Sequence, residues 1–263
     1  MNLKIVNKSF IDSHAHIYLK DFSNQLGAII DNSINNNVEK ILMPNINLKT
    51  VNPMKKLSLK YEGRCFSMLG LHPCYVEGNY EKEINEIFDF FDSKVIAIGE
   101  IGLDYYQSEK TFTNQLRAFE LQCEFAIDKK LPIVIHTRNS IDESINVIKR
   151  YSNKNITGVF HCFTGNLKQA NQIIDLGFKI GVGGILTFKN SDLKNVISKI
   201  DLSSILLETD SPYLSPEPKR GKVNEPSNIK YVAEKLSEIL SVPIELVAKV
   251  TSQNVNNLFD LSS

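Results

Sequence analysis

The chain holds five histidines, at positions 14, 16, 72, 136 and 161, and each falls at or near the C-terminal end of a short apolar, β-branched run. FIDSHAH carries His14 and His16, CFSMLGLH ends in His72, PIVIHTR contains His136 and GVFHCFT contains His161. Two carboxylates share that placement: Glu100 ends VIAIGE, and Asp210 lies in ILLETD just before Ser211-Pro212. An H-x-H pair on an extended segment points both imidazoles to one side, where they can grip one divalent ion. A carboxylate at the end of an apolar run is costly to bury unless it is paired or metal-bound. Taken singly, each residue also reads as a solvent-facing histidine or a satisfied core polar group. Four histidines and two carboxylates at the same ends of successive strands point instead to a metal site.

Six ligands exceed the roughly three protein ligands of a catalytic zinc with an open position. They suit two divalent ions that share a bridging carboxylate. The expected division puts His14, His16 and Asp210 on one ion and His136 and His161 on the other, with Glu100 bridging. Zn²⁺, Mn²⁺ and Fe²⁺ all suit this donor set and Mg²⁺ is a further candidate, so the ligands do not identify the ion. Two such ions outweigh two carboxylates, and the surplus positive charge favours an anionic substrate, with phosphate esters an obvious match.

The elements that must position these groups are eight expected strands: 10–16, 38–46, 65–72, 95–102, 132–138, 158–164, 178–184 and 205–213. Several are nearly continuous in apolar residues, as strands buried on both faces are. Helical spacing fills the gaps, clearest in Ile84, Ile87, Phe88 and Phe91 and in Phe112, Leu116, Phe119, Cys123, Ala126 and Ile127. Eight strands alternating with helices in 263 residues predict an α/β fold, one closed TIM-type (β/α)8 barrel spanning 1–263 as a single unit. An open doubly wound sheet is the lesser option, because no G-x-G-x-x-G follows the first strand. In a barrel, the C-terminal strand ends form the catalytic face, so the histidines converge.

Composition is that of an ordinary soluble globular protein, at 42% hydrophobic and 23% charged residues. Lys+Arg and Asp+Glu are both 30, so bulk charge attracts neither nucleic acid nor an anionic membrane, and any polyanion must bind locally. Four dispersed cysteines without a C-x-x-C pair argue against a disulfide scaffold or a thiolate zinc site. No membrane span is visible, and the first ten residues lack an apolar run long enough for a signal peptide, so the expected location is cytoplasmic.

The segments IDSHAHI (11–17), GLHP (70–73), IGEIGLDYY (98–106), KKLPIVIHTR (129–138), HCFTG (161–165), LLETDSPYL (206–214) and PEPKRGKVNEP (216–226) resemble the TatD family of metal-dependent deoxyribonucleases, within the amidohydrolase-like barrels. The tail VAEKLSEIL…LVAKVTSQNVNNLF is similar to that family's C-terminal helices. The resemblance covers the chain from Ile11 to about Leu261. It implies the ligand set His14, His16, Glu100, His136, His161 and Asp210. It also implies a hydrolase that cleaves DNA phosphodiesters, exonucleolytically on single strands or ends, with DNA as its partner and no protein partner.

Other residues have two readings each. Asp210 either accepts the proton of the attacking water or only ligates metal. His72 either donates to a substrate phosphate or leaving oxygen, or holds its loop through Pro73. Glu208 shares the parity of Asp210 and either orients a ligand histidine or is satisfied by backbone donors. Gly181, Gly183 and Gly184, with Lys219, Arg220 and Lys222, fall after the seventh and eighth strands, where barrels often bind phosphate; a solvated surface cluster is the plain alternative. Tyr105 and Tyr106 either stack on a base or pack at the rim. Strand alternation turns Cys162 to the face opposite His161, which argues against a nucleophilic role. Two other functions compete with the nuclease. One is a small-molecule amidohydrolase, lactonase or phosphoesterase on the same barrel; the other is a catalytically silent binding barrel, which would have no need of converging ligands.

Overall fold

Along each strand the side chains alternate between the barrel interior and the surrounding helices, and this parity aims the polar residues that follow. In the computed structural model, which describes residues 8–106 and 111–261, the strands are β1 (Phe10–Asp12), β2 (Val38–Met43), β3 (Cys65–Leu69), β4 (Val95–Asp104), β5 (Ile133–Arg138), β6 (Gly158–Phe160), β7 (Lys179–Val182) and β8 (Ile205–Leu207). They form one parallel sheet in the order β1 to β8. The ends meet through a parallel bridge between Ala15 and Ser211, with His16 N donating to Ser211 O at 2.7 Å and Asp210 N to His14 O at 2.8 Å. Positions 1–7, on which the expectation of no leader partly rests, lie outside the described residues. Among the described residues no helix is long and apolar enough to cross a membrane.

Helices α1 (Leu26–Asn35), α2 (Leu48–Lys60), α3 (Tyr80–Phe88), α4 (Phe112–Lys129), α5 (Ile141–Lys149), α6 (Leu167–Asp175), α7 (Leu193–Ile197), α8 (Ile229–Leu240) and α9 (Ile244–Leu258) complete the fold. The main core lies between strands and helices and takes Ile41, Met43, Ile133, Ile135, Phe160, Ile205 and Leu207. A second cluster takes Ile11, Leu42, Phe66, Met68, Ile96, Ala97, Val134, Val159 and Leu206. Except at the adjacent pair Ile96 and Ala97, these residues alternate with the first set, and they fill the barrel interior. Two steps beyond Val134, Val159 and Leu206, the inward column continues as His136, His161 and Glu208. The apolar filling therefore ends in polar side chains at the catalytic mouth.

Several strands are shorter than the apolar runs that announce them. β1, β6 and β8 have three residues each, which leaves His14, His16, His161 and Asp210 in the loops just beyond. Left-handed backbone at Cys162 (φ 46°) and Asp210 (φ 56°) breaks the ladder, because extended pairing cannot continue through it. β1 carries a second correction. Strict alternation would put His14 and His16 on the helix-facing side with Phe10; the strand ends at Asp12, and the following turn brings both imidazoles inward.

The opposite end of the barrel is closed by the C-terminal segment. Val255, Phe259 and Leu261 pack against the interior residues Ile11, Phe66 and Ile96, and Asn254 Nδ2 donates to Leu202 O and Ile205 O at the start of β8. Phe259 is 1% exposed. Phe259→Ala should lower the unfolding free energy by about 3–5 kcal/mol in a denaturant titration, as other buried Phe→Ala truncations do. Metal content at the far end of the barrel should be preserved; a loss below about 1 kcal/mol would show that the segment does not seal the core.

Candidate metal centre

Glu100 is the hub. It lies mid-strand on β4, 2% exposed, and is held by reciprocal backbone bonds to the end of β2: Glu100 N donates to Asn45 O (3.0 Å) and Asn45 N to Gly99 O (2.9 Å). Asn45 in turn donates to Gly70 O and accepts from Thr50 Oγ1, which ties three successive strand ends together. Around the carboxylate stand all five histidines. His14 Nε2 (3.1 Å) and His16 Nε2 (3.4 Å) approach Oε2, while His72 Nε2 (3.3 Å), His136 Nδ1 (2.8 Å) and His161 Nε2 (2.8 Å) approach Oε1. Asp210 Oδ1 is 3.7 Å from His14 Nε2 and 3.6 Å from His16 Nε2. The six expected ligands are thus brought together, and His14, His16 and Asp210 form one compact donor group.

The donor set fits cations in the way it is wired. His16 Nδ1 lies 2.9 Å from the Tyr18 hydroxyl, which donates its own proton to Pro44 O. The hydroxyl oxygen is therefore the acceptor for His16 Nδ1–H, so Nε2 faces the cluster and bears the lone pair once the ring is neutral. His136 is set the other way: Nε2 lies 3.0 Å from Asp104 Oδ2, so Nδ1 faces Glu100. Of seven buried side-chain polar atoms without a hydrogen-bond partner among the described residues, three, His14 Nδ1, His161 Nδ1 and Glu208 Oε2, belong to this cluster. Such a concentration of unsatisfied buried donors and acceptors is what a site built for ions leaves when they are not counted.

Burial works to raise the Glu100 carboxyl, yet the surrounding imidazoles hold it well below the ordinary range, and His16, His14 and His161 likewise keep Asp210 low. Burial pulls the His16 imidazole down, but hydrogen bonds and charge from Asp210 and Glu100 prevail and push it up to about 10. His161 is also raised against the effect of burial, chiefly by Glu100. His14 and His72 are lowered, first by burial and next, for His14, by His161. The metal-free cluster therefore shares protons between imidazoles and ionised carboxylates.

His72 caps the short turn Pro73–Tyr75: its Nδ1 accepts from Cys74 N at 3.0 Å. With that lone pair engaged, the neutral ring carries its proton on Nε2, aimed at Glu100. It holds its loop and presents a donor, so its two readings are compatible. Glu208 takes a backbone donor and lies beside His161 without hydrogen-bonding it. Its Oε1 accepts from Cys162 N (2.5 Å) and stands 3.5 Å from His161 Nδ1. Gly181 on β7 leaves room for it: a Cβ there would come within 2.5 Å of Glu208 Oε2.

Several expectations are corrected or refined. Cys162 does not lie across a strand from His161; it lines the cavity over the cluster, with burial and then Asp210 and Glu208 holding its thiol well above the usual range. A thiol so disfavoured for ionisation remains a poor nucleophile. Tyr105 stacks on Phe112 (3.8 Å), so packing rather than an open face describes it. Lys219, Arg220 and Lys222 do not line that cavity, and Arg220 lies 3.8 Å over the Phe188 ring, joining the loops after β8 and β7.

Sequence reasoning overlooked three contributors. Asp104 ends β4 and grips His136; burial raises its carboxyl, but the bonds from His136 and Tyr106 N win and hold it at about 2. Asp12, fully buried, accepts from Thr209 N (2.9 Å) and Thr209 Oγ1 (2.6 Å), stapling β1 to the segment between Glu208 and Asp210, and burial pushes it up to about 8. Arg138, two residues past His136, lines the cavity. Parity was an available signal for two of them, since Asp12 lies two positions from Phe10 and from His14 and Arg138 two positions from His136; Asp104, two positions from Gly102, offered none.

A family model described as TatD related DNase matches residues 11–260. An uncharacterized metal-dependent hydrolase of Buchnera aphidicola from Acyrthosiphon pisum is 39% identical over 262 residues, covering 95% of this chain and 99% of that one. The uncharacterized metal-dependent hydrolase YabD of Bacillus subtilis is 32% identical over 253 residues, with 95% and 99% covered. Among solved structures, YjjV, a TatD homologue from Escherichia coli K12, superposes with a TM-score of 0.91 at 30% identity, over 97% of this chain and 99% of that one.

Two measurements probe this wiring. Asp104→Asn should weaken divalent-ion affinity by roughly 10- to 100-fold in a calorimetric titration while leaving the circular dichroism spectrum intact; unchanged affinity would remove Asp104 as the support of His136. Because His16 is raised to about 10 in the metal-free protein, its ion-pair contribution to stability is fully present below the ordinary histidine pKa and is lost as pH rises from there to about 10. Binding of Zn²⁺ or Mn²⁺ must displace such protons, so at neutral pH it should release about one or more per chain and tighten with rising pH. Calorimetry in buffers of different ionisation enthalpy reads this directly, and proton uptake would contradict it.

Proposed function

The chain belongs to the TatD related DNase family of metal-dependent hydrolases, and from that premise we propose that it cleaves DNA phosphodiester bonds with two divalent ions held around Glu100. One observation carries the proposal: all five histidines of the chain approach a single buried carboxylate within 3.4 Å, with Asp210 beside them. His14, His16 and Asp210 would hold one ion, His136 and His161 the other, and Glu100 both. Divalent ions there supply water activation at neutral pH and offset charge on the phosphoryl oxygens.

The chain's own groups do the rest. Asp210, whose side chain is 13% exposed against 3% for Glu100, is the carboxylate that reaches the cavity. It positions the attacking water and accepts its proton, while its ligand role keeps it in place. His72, fixed with its proton on Nε2, donates toward a phosphoryl or leaving oxygen. Tyr18, Asp104 and Glu208 orient His16, His136 and His161. The cavity over the cluster, about 420 Å³, accommodates a nucleotide at a strand end. The same volume suits a small phosphoester or amide, which is the second reading.

The test is to incubate metal-stripped protein with 5′- and 3′-labelled single-stranded DNA, restoring Mg²⁺, Mn²⁺ or Zn²⁺ in turn. Metal-dependent laddering is expected, and Glu100→Ala should cut the rate by on the order of 10³-fold or more while reducing bound metal. Two bound ions with no cleavage under any of them would favour the small-molecule hydrolase. Full activity in Glu100→Ala would overturn the dinuclear centre.

A further inference from the structure

A second concavity takes no part in the cluster. It lies between the loop after β1, the start of α1 and the second half of α2, and it encloses about 220 Å³. None of its lining residues is shared with the cavity over the cluster. Buried Ile17, Phe22 and Leu57 make its floor, and Tyr18, Leu26 and Pro53 stand in its walls. An apolar cavity of about 150 Å³ holds one benzene, so this one has room for a ring with a short chain. Phe22 and Tyr18 give such a ring aromatic surface to pack against.

The charge sits at the rim. Lys56 and Lys60, one helical turn apart on α2, both reach the pocket and both are exposed. Lys55 beside them is paired with Asp92 at 2.6 Å, whereas neither Lys56 nor Lys60 has a carboxylate partner among the described residues. Lys60 Nζ lies 5.1 Å over the Tyr61 ring instead, which leaves its N–H donors open to an anion. No acidic side chain lines the pocket. An apolar floor under two unneutralised cations is complementary to an anion with an apolar body, and it discriminates against a neutral molecule of the same shape. One wall also reaches the metal centre. Tyr18 lines the pocket, while its hydroxyl lies 2.9 Å from His16 Nδ1, and the two ring centroids are 5.8 Å apart. A molecule seated against Tyr18 restricts that side chain, and so holds the His16 ring with Nε2 aimed at the cluster.

We propose that this pocket binds a small carboxylate with an aromatic body, an arylalkanoate, and that its occupancy tightens divalent-ion binding through Tyr18 and His16. The link to the ions rests on the reading of the Glu100 cluster as a metal centre, whereas the binding itself rests on the pocket alone. Coupling of this kind is reciprocal, so a bound ion tightens the carboxylate by the same factor.

Hydrocinnamate and hydrocinnamyl alcohol share a ring and chain and differ in charge. Both are titrated calorimetrically into the metal-stripped protein, so that no ion at the cluster captures the carboxylate. Hydrocinnamate should bind saturably at one site, about 10-fold or more tighter than the alcohol. Lys56→Gln combined with Lys60→Gln should erase that difference and keep the affinity for the alcohol. Leu26→Trp, which fills the pocket, should abolish binding of both with the circular dichroism spectrum unchanged. Equal affinity for acid and alcohol, a preference that survives the double lysine substitution, or no saturable binding of either would overturn the site. Binding lost in Glu100→Ala but retained in the lysine variant would move the carboxylate to the cluster and overturn it equally. Mn²⁺ affinity is then measured with and without saturating hydrocinnamate. It should tighten by about 5-fold or more in the wild type, and not in Tyr18→Phe, which keeps the ring in the wall and loses the hydroxyl. Unchanged Mn²⁺ affinity in the wild type would overturn the link to His16. None of these readings uses catalysis, so a chain that cuts no DNA leaves them standing, and an empty pocket leaves the nuclease reading untouched.

Discussion

A carboxylate sealed inside an apolar barrel cannot remain ionised without compensating charge, and that constraint organises the mouth of this protein. Glu100 follows Ile96, Ala97 and Ile98 on β4, where water is excluded. Leaving an isolated charge there would cost several kcal/mol even after relaxation. The chain answers by aiming every histidine it possesses at the same two oxygens. Imidazoles crowded so closely repel one another when charged, as the lowering of His14 by His161 shows. Carboxylates and imidazoles together tolerate the metal-free state, and their unpartnered nitrogens and oxygens favour ions in their place.

Around this hub the second layer is as specific as the first. Tyr18 selects the proton position on His16, Asp104 that on His136, and Cys74 N that on His72. Each choice turns a lone pair or an N–H toward the cluster, so the same residue type can offer a lone pair in one place and a donor in another. Glu208 and Gly181 act as a pair, since the carboxyl fits beneath His161 only where β7 has no side chain. The site's chemistry is thus distributed over elements that share no sequence proximity.

The periodicity of the sequence made much of this legible. Apolar runs marked all eight strands, and the helical stripes at 84–91 and 112–127 fall on α3 with the turn after it and on α4. The convergence of His14, His16, Glu100, His136, His161 and Asp210 was readable because a barrel gathers its strand ends in one place, although β4 runs on past Glu100 to Asp104 and β5 past His136 to Arg138. Strand length was less legible: His161 and Cys162 look like a continuation of GVF, and only the left-handed turn at Cys162 removes them from the ladder. The same local event moved Cys162 into the cavity. Asp104 and Asp12 went unread because a lone acid near a strand end has no partner until the fold supplies His136 or Thr209.

What the sequence determined by itself was the inventory and the order: which groups can ligate, and that each follows a run of buried apolar residues. Alternation and hydrophobic burial are local rules, so they survive without knowledge of neighbours. What the tertiary structure alone decided was direction and partnership. β1 ends at Asp12, against its own parity, so that His14 and His16 turn inward, and Arg138 comes to rest on Tyr106 rather than on an acid. Those outcomes depend on contacts between residues far apart in the chain, and no spacing rule along one strand encodes where another strand will place its side chains.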